Sequence, residues 1–464
     1  MKKMKHDVPT RLVKVLILIL MMVAFGFVWY GYYAARAQVH YYRRGDWVVI
    51  LLFGILYYGF CRSYDAFHIS ISPISEIIYS QTLALIISDF IMYVVIWLLS
   101  LYMPNAVPLL ITFGVQFLIS VLWTFLAHQW YFHNFQPGRT AVIYDLREGM
   151  ESLVGEYGME KKFHIEKVLG VEECLAKLSV LDEMDTVFLS GIHSYRSMHS
   201  SNSVCIRIIR FILKYCMYQD IQVYVIPRIG DVIMGGAKKV HMFHLPMLRI
   251  DRYRPIPEYT IAKRAFDILF SGIAIVIASP FMLVTAIAIK SDGGPALYKQ
   301  KRLTKDGKEF NVLKFRSMRV DAEKDGVARL STGDKDDRIT PVGKIIRKIR
   351  FDELPQLFNI LRGDMSIVGP RPERPEIARQ YEEEMPEFRL RLQAKAGLTG
   401  YAQVYGKYNT TPYDKLLMDL TYIGTPSLWE DFKICLATVK ILFMPESTEG
   451  VAEGATTAMG GEKH

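Results

Sequence analysis

The sequence predicts a membrane α-helical N-terminal part, a Rossmann-like α/β middle domain, and a mainly α monotopic C-terminal domain carried on a re-entrant broken helix. Three observations predict this. Hydrophobic residues make up 51 % of the 464-residue chain and concentrate in the first 130 residues and again around 268–289. Between those blocks, short apolar runs alternate with helical patterns, as in a parallel sheet with crossover helices. The second apolar block is interrupted near its middle by Ser279-Pro280.

The N-terminal part, 1–130, opens on a basic stretch with Lys2, Lys3, Lys5, Arg11 and Lys14. Val15–Tyr33 is long and apolar enough to span a bilayer and lacks a small-residue cleavage site, so it reads as a span rather than a signal peptide. Trp47–Cys61, Leu83–Met103 and Val107–Ala127 follow, the last two joined by a Pro104-Asn105 turn. Four spans put both ends on one side, and the basic start places that side in the cytoplasm. Arg36, Arg43 and Arg44 disagree, because this scheme leaves them in an outside loop. The five cysteines are scattered and form no Cys-x-x-Cys pair, which supports neither a zinc site nor a disulfide framework.

In the middle domain, 139–250, the strands are expected at Thr140–Asp145, Phe163–Leu169, Asp185–Ser190 and Gln222–Pro227. A dinucleotide site would need a Gly-x-Gly-x-x-Gly turn after the first strand. The residues there are Tyr144-Asp145-Leu146-Arg147-Glu148-Gly149, without the glycines that cradle phosphate. The expectation is a structural or regulatory domain that binds no dinucleotide.

Within 259–290, Ile268–Ile289 is a mostly apolar run of 22 residues between Lys263-Arg264 and Lys290. Pro280 removes an intrahelical hydrogen bond, and the Ser279 hydroxyl can satisfy the freed carbonyl. Each half is about 14–18 Å long, roughly half of a bilayer core of about 30 Å. Bent there, the segment dips into one leaflet and returns, with cations at both ends facing head groups. The alternative is a kinked spanning helix, which would put the next domain across the membrane from the first.

The last folded part, 291–445, begins in a basic region. From Lys290 to Arg350 there are 17 Lys/Arg and 9 Asp/Glu, a net of +8 that carries nearly all of the chain's +9. Such an excess suits anionic head groups or phosphorylated substrates. Nucleic acid is not an expected partner, since neither zinc-finger spacing nor an aromatic RNA-binding motif occurs. Short strands are expected at Ala296–Tyr298 and Phe310–Phe315, then a basic cluster at Lys314–Arg319 and a mobile charged loop over 321–337. Val342, Ile345, Ile346 and Ile349 recur at helical spacing opposite Lys344, Arg347, Lys348 and Arg350. That pattern fits an amphipathic basic helix on a membrane surface, or equally a solvated face of a globular helix.

Directly behind it stands Arg350-Phe351-Asp352-Glu353-Leu354-Pro355-Gln356-Leu357-Phe358-Asn359. Pro355 suits the first turn of a new helix, so Asp352 and Glu353 lie near a helix N-terminus that favours anions. An acidic helix cap is the bland alternative. A site holding a carboxylate, a phosphate and a divalent cation is the sharper one.

Four ordered motifs carry a resemblance: the Ser279-Pro280 broken helix, Lys314-Phe315-Arg316-Ser317-Met318, Asp352-Glu353-Leu354-Pro355-Gln356, and Gly369-Pro370-Arg371-Pro372. Over Tyr259–Met444 the chain resembles the bacterial monotopic phosphoglycosyl transferases, and its whole layout resembles the large members that start exopolysaccharide, capsule or O-antigen repeat units. The resemblance implies transfer of a sugar-1-phosphate from a UDP-sugar to undecaprenyl phosphate with release of UMP. It makes Asp352 the nucleophile and Glu353 its partner, with Mg²⁺ held through Glu353 first and a share by Asp352. Lys314, Arg316, Arg350 and Arg371 are the expected phosphate contacts. Thr399 and Gln403, in Lys395-Ala396-Gly397-Leu398-Thr399-Gly400-Tyr401-Ala402-Gln403-Val404, are candidates for touching the nucleotide. Asp414, Asp419 and Tyr422 either support the site or lie on a solvated helix face.

The resemblance further implies the bacterial cytoplasmic (inner) membrane as location, the catalytic domain on its cytoplasmic face, membrane lipid as neighbour, and a UDP-hexose such as UDP-glucose or UDP-galactose as donor. The large non-catalytic portion suggests a homodimer. A non-catalytic scaffold binding the polyprenyl carrier is the rival reading; a transporter is disfavoured because Asp89 is the only charge deep within the apolar segments. The segment 446–464, rich in Gly, Ala, Thr and Glu, reads as a disordered tail.

Overall fold

The computed structural model describes residues 2–36, 44–144, 154–155, 159–190, 211–242, 244–253, 255–291, 293–319, 338–406 and 410–442. The turn after the first strand, the 321–337 loop and the 446–464 tail lie outside the described residues. The chain forms two compact units, Met1–Ile226 and Pro227–His464.

In the first unit four long helices come first: α1 (Lys2–Val28), α2 (Arg44–Ser63), α3 (Ile74–Leu99) and α4 (Val107–Asn134). All four are long and apolar enough to cross a membrane. Ile17, Met21, Phe25, Trp29 and Tyr33 recur every four residues and are buried, and Phe25 stacks on Phe53 with ring centroids 4.5 Å apart. α3 starts at Ile74, behind Pro73, rather than at Leu83. Its first turns carry Glu76, Ser80 and Gln81, which a hydropathy reading passes over. Gln81 is nevertheless buried, because its amide donates to the Ala66 carbonyl.

Behind α4 comes a fully parallel sheet of β1 (Gly138–Tyr144), β2 (Phe163–Gly170), β3 (Thr186–Ser190) and β4 (Gln222–Val225), in the order β2-β1-β3-β4. Central β1 and β3 are buried on both faces, which is why they read as continuous apolar runs, whereas edge strand β2 alternates. Ala141, Ile143, Val187 and Leu189 pack against α5 (Val171–Ala176) and the helical stretch 211–218.

The second unit starts earlier than the sequence suggests. Helix α6 (Ile229–Gly235) and the hairpin β5 (Lys238–Met242)–β6 (Leu245–Arg249) belong to it rather than to the parallel sheet. Gly236 shows the reason: a Cβ there would stand 2.8 Å from the Gly424 Cα, so two backbones meet where a side chain has no room.

α7 (Pro257–Lys290) is helical over 34 residues, with Pro280 inside it. The Val276 carbonyl that Pro280 cannot bond receives the Ser279 hydroxyl at 2.8 Å, so the helical path survives. Both ends of its apolar stretch dock on the same small domain. At one end Arg264 donates to the carbonyls of Ile360 and Leu361, and Asp267 accepts from the Ser366 hydroxyl and the Ile367 N–H. At the other, Ile289 packs with Phe315 and Ile346. Between them Leu269, Val276, Leu283 and Val284 are more than half exposed.

The rest of the unit is β7 (Leu297–Leu303), β8 (Glu309–Phe315), α8 (Pro341–Lys348), α9 (Gln356–Arg362), β9 (Ser366–Val368), α10 (Pro375–Glu384), β10 (Gly397–Thr399), α11 (Tyr401–Tyr405), α12 (Pro412–Gly424) and α13 (Leu428–Leu442). Ile360, Met365, Val368, Leu416 and Ile434 form its core. β9 and β10 are three residues each and pair in parallel, too short to show as strands in sequence.

Candidate active site

Asp352 and Glu353 occupy a single 3₁₀ turn, Phe351–Glu353, between α8 and α9. The chain enters it through Arg350, which holds φ at 55°, a left-handed conformation costing about 1–2 kcal/mol for a residue with a Cβ. That sharp turn ends α8 and swings the carboxylates off its axis. The helix behind them, α9, has only seven residues, so neighbouring cations dominate the electrostatics rather than the helix end.

Two cations converge on Glu353. Lys314 Nζ lies 2.8 Å and Arg371 Nη2 3.3 Å from the same oxygen, Oε1. Lys314 is held there by Asn359, a fully buried residue that clamps β8: its Oδ1 accepts from the Leu313 N–H, and its Nδ2 donates to the Asn311 carbonyl. The end of the carboxylate stretch thus aims the lysine at its beginning.

The two carboxylates are pushed apart in acidity. Burial alone would raise Glu353, but Lys314 and Arg371 outweigh it and hold its carboxyl well below the usual range. Asp352 goes the other way: burial pushes it up, the Glu353 charge adds to this, and Lys314, Arg347 and Arg371 only partly oppose. Glu353 is engaged twice, whereas Asp352 takes no hydrogen bond or ion pair among the described residues. After Lys314, Arg347 also favours the charged form of Asp352, and its Nη1 is buried with no hydrogen-bond partner among the described residues.

The described residues hold no cluster of three or more metal-ligating side chains. A hard divalent cation still fits the donor set. Glu353 through its second oxygen, with a share by Asp352, would supply one or two carboxylates, and Mg²⁺ would take its remaining ligands from water and substrate oxygens.

The Gly369–Pro372 loop that presents Arg371 is tied down at every step. The Gly369 N–H donates to the Thr399 carbonyl, and the Pro370 carbonyl accepts from the Gly397 N–H. Arg391 Nη2 donates to the Arg371 carbonyl at 2.9 Å, and Arg302 Nη1 to the Pro372 carbonyl at 3.0 Å. Gly369 and Gly397 make the approach possible, since a Cβ on either would fall within 2.3 Å of backbone on the other segment.

Not every expected contact joins the pair. Arg316 is buried, and its guanidinium donates to the carbonyls of Pro295 and Ile289, so it closes the end of α7 and leaves the phosphate role to others. Thr399 shares a 2.7 Å hydrogen bond with Thr438 and holds α13. Gln403 donates to the Leu398 carbonyl, while its Oε1 is buried without a partner among the described residues. Thr411 caps α12 by accepting from the Asp414 N–H, and the Asp414 carboxylate accepts from the Thr411 hydroxyl. Asp419 is 2.7 Å from Arg391, and Tyr422 bonds Asp431, so both face inward rather than solvent. Arg347, Arg391 and Asn359 were missed as site residues. Arg391 had a signal, a cation between Leu390 and Leu392, but the sequence names no partner for it.

A carboxylate pair, one member clamped by two cations and the other without a partner among the described residues, sits on a domain docked to a helix apolar and long enough to enter a membrane, a set of groups that suits phosphoryl chemistry. Comparison with known proteins makes this specific. Residues 258–445 match the bacterial sugar transferase family, and the chain belongs to that family. It is 39 % identical over 237 residues to a UDP-N-acetylgalactosamine-undecaprenyl-phosphate N-acetylgalactosaminephosphotransferase of Aeromonas hydrophila, covering 50 % of this chain and 55 % of that one. It is 41 % identical over 201 residues to a UDP-glucose:undecaprenyl-phosphate glucose-1-phosphate transferase of Caulobacter vibrioides, covering 42 % and 74 %. It is 41 % identical over 197 residues to the galactosyl transferase CpsE of Streptococcus agalactiae, covering 40 % and 43 %. The chain thus spans 55 % of the first of these relatives and 43 % of the third.

Proposed function

We propose that this protein transfers a sugar-1-phosphate from a UDP-hexose, glucose or galactose, to undecaprenyl phosphate and releases UMP, the first step in assembling a polysaccharide repeat unit. The observation that carries the reading is the asymmetry of the pair. Asp352 takes no hydrogen bond or ion pair among the described residues, as suits a nucleophile, and its partner Glu353 is held by Lys314 and Arg371.

The Asp352 carboxylate attacks the phosphorus attached to the sugar. The bridging P–O bond breaks, and UMP leaves with the electron pair. The sugar phosphate is then joined to Asp352 as an acyl phosphate. A phosphate oxygen of the lipid attacks the same phosphorus, the P–O bond to Asp352 breaks, and the carboxylate returns. Lys314, Arg371 and Arg347 balance the charge of two anions meeting, and guanidinium suits phosphoryl oxygens. Mg²⁺ would be held first by Glu353 and would neutralise diphosphate charge when bound.

The reading places the domain at the cytoplasmic face of the bacterial inner membrane, with α7 dipping into one leaflet. Two features support this. The apolar middle of α7 is exposed, and both its ends dock on one small domain. The parallel sheet reads as a Rossmann-like accessory domain. The test is UMP release from a panel of UDP-sugars by purified protein with Mg²⁺ and undecaprenyl phosphate, beside Asp352→Asn. Release with a hexose donor, lost in the variant and with chelator, is expected; no release from any donor by folded protein in lipid favours a non-catalytic scaffold.

A further inference from the structure

We infer that Arg391 is a positioning residue of the active site, acting through the backbone of Arg371 rather than on substrate. Its side chain is 5 % exposed. Nη2 donates to the Arg371 carbonyl at 2.9 Å and lies 2.7 Å from Asp419 Oδ2, while Nη1 lies 3.5 Å from Glu373 Oε1. The Phe388 ring is 4.8 Å from the guanidinium carbon.

One buried cation therefore hydrogen-bonds a loop carbonyl and forms ion pairs with two carboxylates from different elements. Only a planar fork of donors does this; an ammonium is a point charge and satisfies fewer directions. Asp419 reaches in from α12 and is 1 % exposed, so Arg391 joins the loop to the core of the unit. Glu373 stands two residues beyond Arg371 and is shared with Arg302 at 3.9 Å. The output of this network is the aim of Arg371. That side chain is 44 % exposed and flexible along its length, so its 3.3 Å approach to Glu353 depends on where the backbone beneath it is fixed. Misplacing such a group by about 1 Å costs about 100-fold in rate.

The kinetic arm of the test rests on the sugar-phosphate transfer reading; the structural arm does not. Full-length Arg391→Lys, Arg371→Lys and the double variant are compared in lipid particles by UMP release over a range of donor concentrations, with thermal melting of each. Arg391→Lys is expected to lower kcat by about 100-fold while melting as a folded protein, yet to cost less than about threefold further in the Arg371→Lys background. A structure of Arg391→Lys is expected to show Arg371 off Glu353 with the β9–β10 pairing intact. Losses that multiply in the double variant, or an Arg371–Glu353 contact unchanged in that structure, overturn the inference. If Arg391→Lys does not fold, Asp419→Asn goes through the same cycle, with about a tenfold loss that vanishes in the Arg371→Lys background. A wild-type protein silent with every donor sinks the transfer reading alone, and the loop geometry still decides the positioning role.

Discussion

On one side of the carboxylate pair, Glu353 meets Lys314 and Arg371, and both cations are held in turn by buried partners, Asn359 beneath β8 and Arg391 beneath the loop. On the other side Asp352 has no partner among the described residues, and Arg347 leaves Nη1 unbonded at the edge of α8. There Ile345 and Ile349 stand 66 % and 48 % exposed. The first side has satisfied its charges within the fold, so it is rigid and ready-made. The second has left them unspent, which is where reacting groups can be met. Preorganisation and reactivity are thus divided between adjacent residues.

The contrast is broken most severely by Asp352→Asn, which removes the free member and leaves the clamped one. UMP release should fall by about 10,000-fold or more, with the melting temperature nearly unchanged because Asp352 has no hydrogen bond or ion pair to lose among the described residues. Next comes Glu353→Gln. It strips the shared partner from two cations at a site only 15 % exposed, so it should lower activity by about 100-fold and also destabilise the fold by about 2–3 kcal/mol. Denaturant melts separate the two carboxylates: a large stability loss in the Asp352 variant and none in the Glu353 variant would reverse the assignment.

Arg347→Met sharpens the comparison through pH. Asp352 reacts as a carboxylate and burial raises its pKa, so activity should fall as pH drops through a value above the ordinary aspartate range. Arg347 favours the ionised form, so removing it should move this acid limb to still higher pH. A limb that stays in place in the variant shows that Arg347 does not act on Asp352. The smallest effect is Arg350→Gly, which relieves the left-handed φ and should raise stability by about 1 kcal/mol while lowering turnover through the lost charge. Calorimetry and initial rates read the two signs in one variant.

How much could be read in advance differs by element. The long apolar helices, the central strands and the amphipathic α8 carry patterns of their own and were legible. α3 was displaced because its polar first turns are satisfied by tertiary partners such as the Ala66 carbonyl, which a hydropathy window does not see. The membership of α6 and the β5–β6 hairpin in the second unit was not legible, because it depends on Gly236 meeting a glycine 188 positions later. Arg316 was assigned to phosphate from its motif, whereas carbonyls at the end of α7 had already taken it.

By itself the sequence determined which groups are available: two adjacent carboxylates, the basic segment before them, a proline-interrupted apolar helix, and glycines where backbones must touch. These are local properties, written in residue type and spacing. Tertiary structure alone decided how those charges pair. Whether Lys314 reaches Glu353, Arg316 reaches a helix end, or Arg391 reaches the Arg371 carbonyl is settled by distances of about 3 Å between residues far apart in the chain. Electrostatic energy falls with distance and grows with burial, so only the folded arrangement tells a clamped carboxylate from a free one.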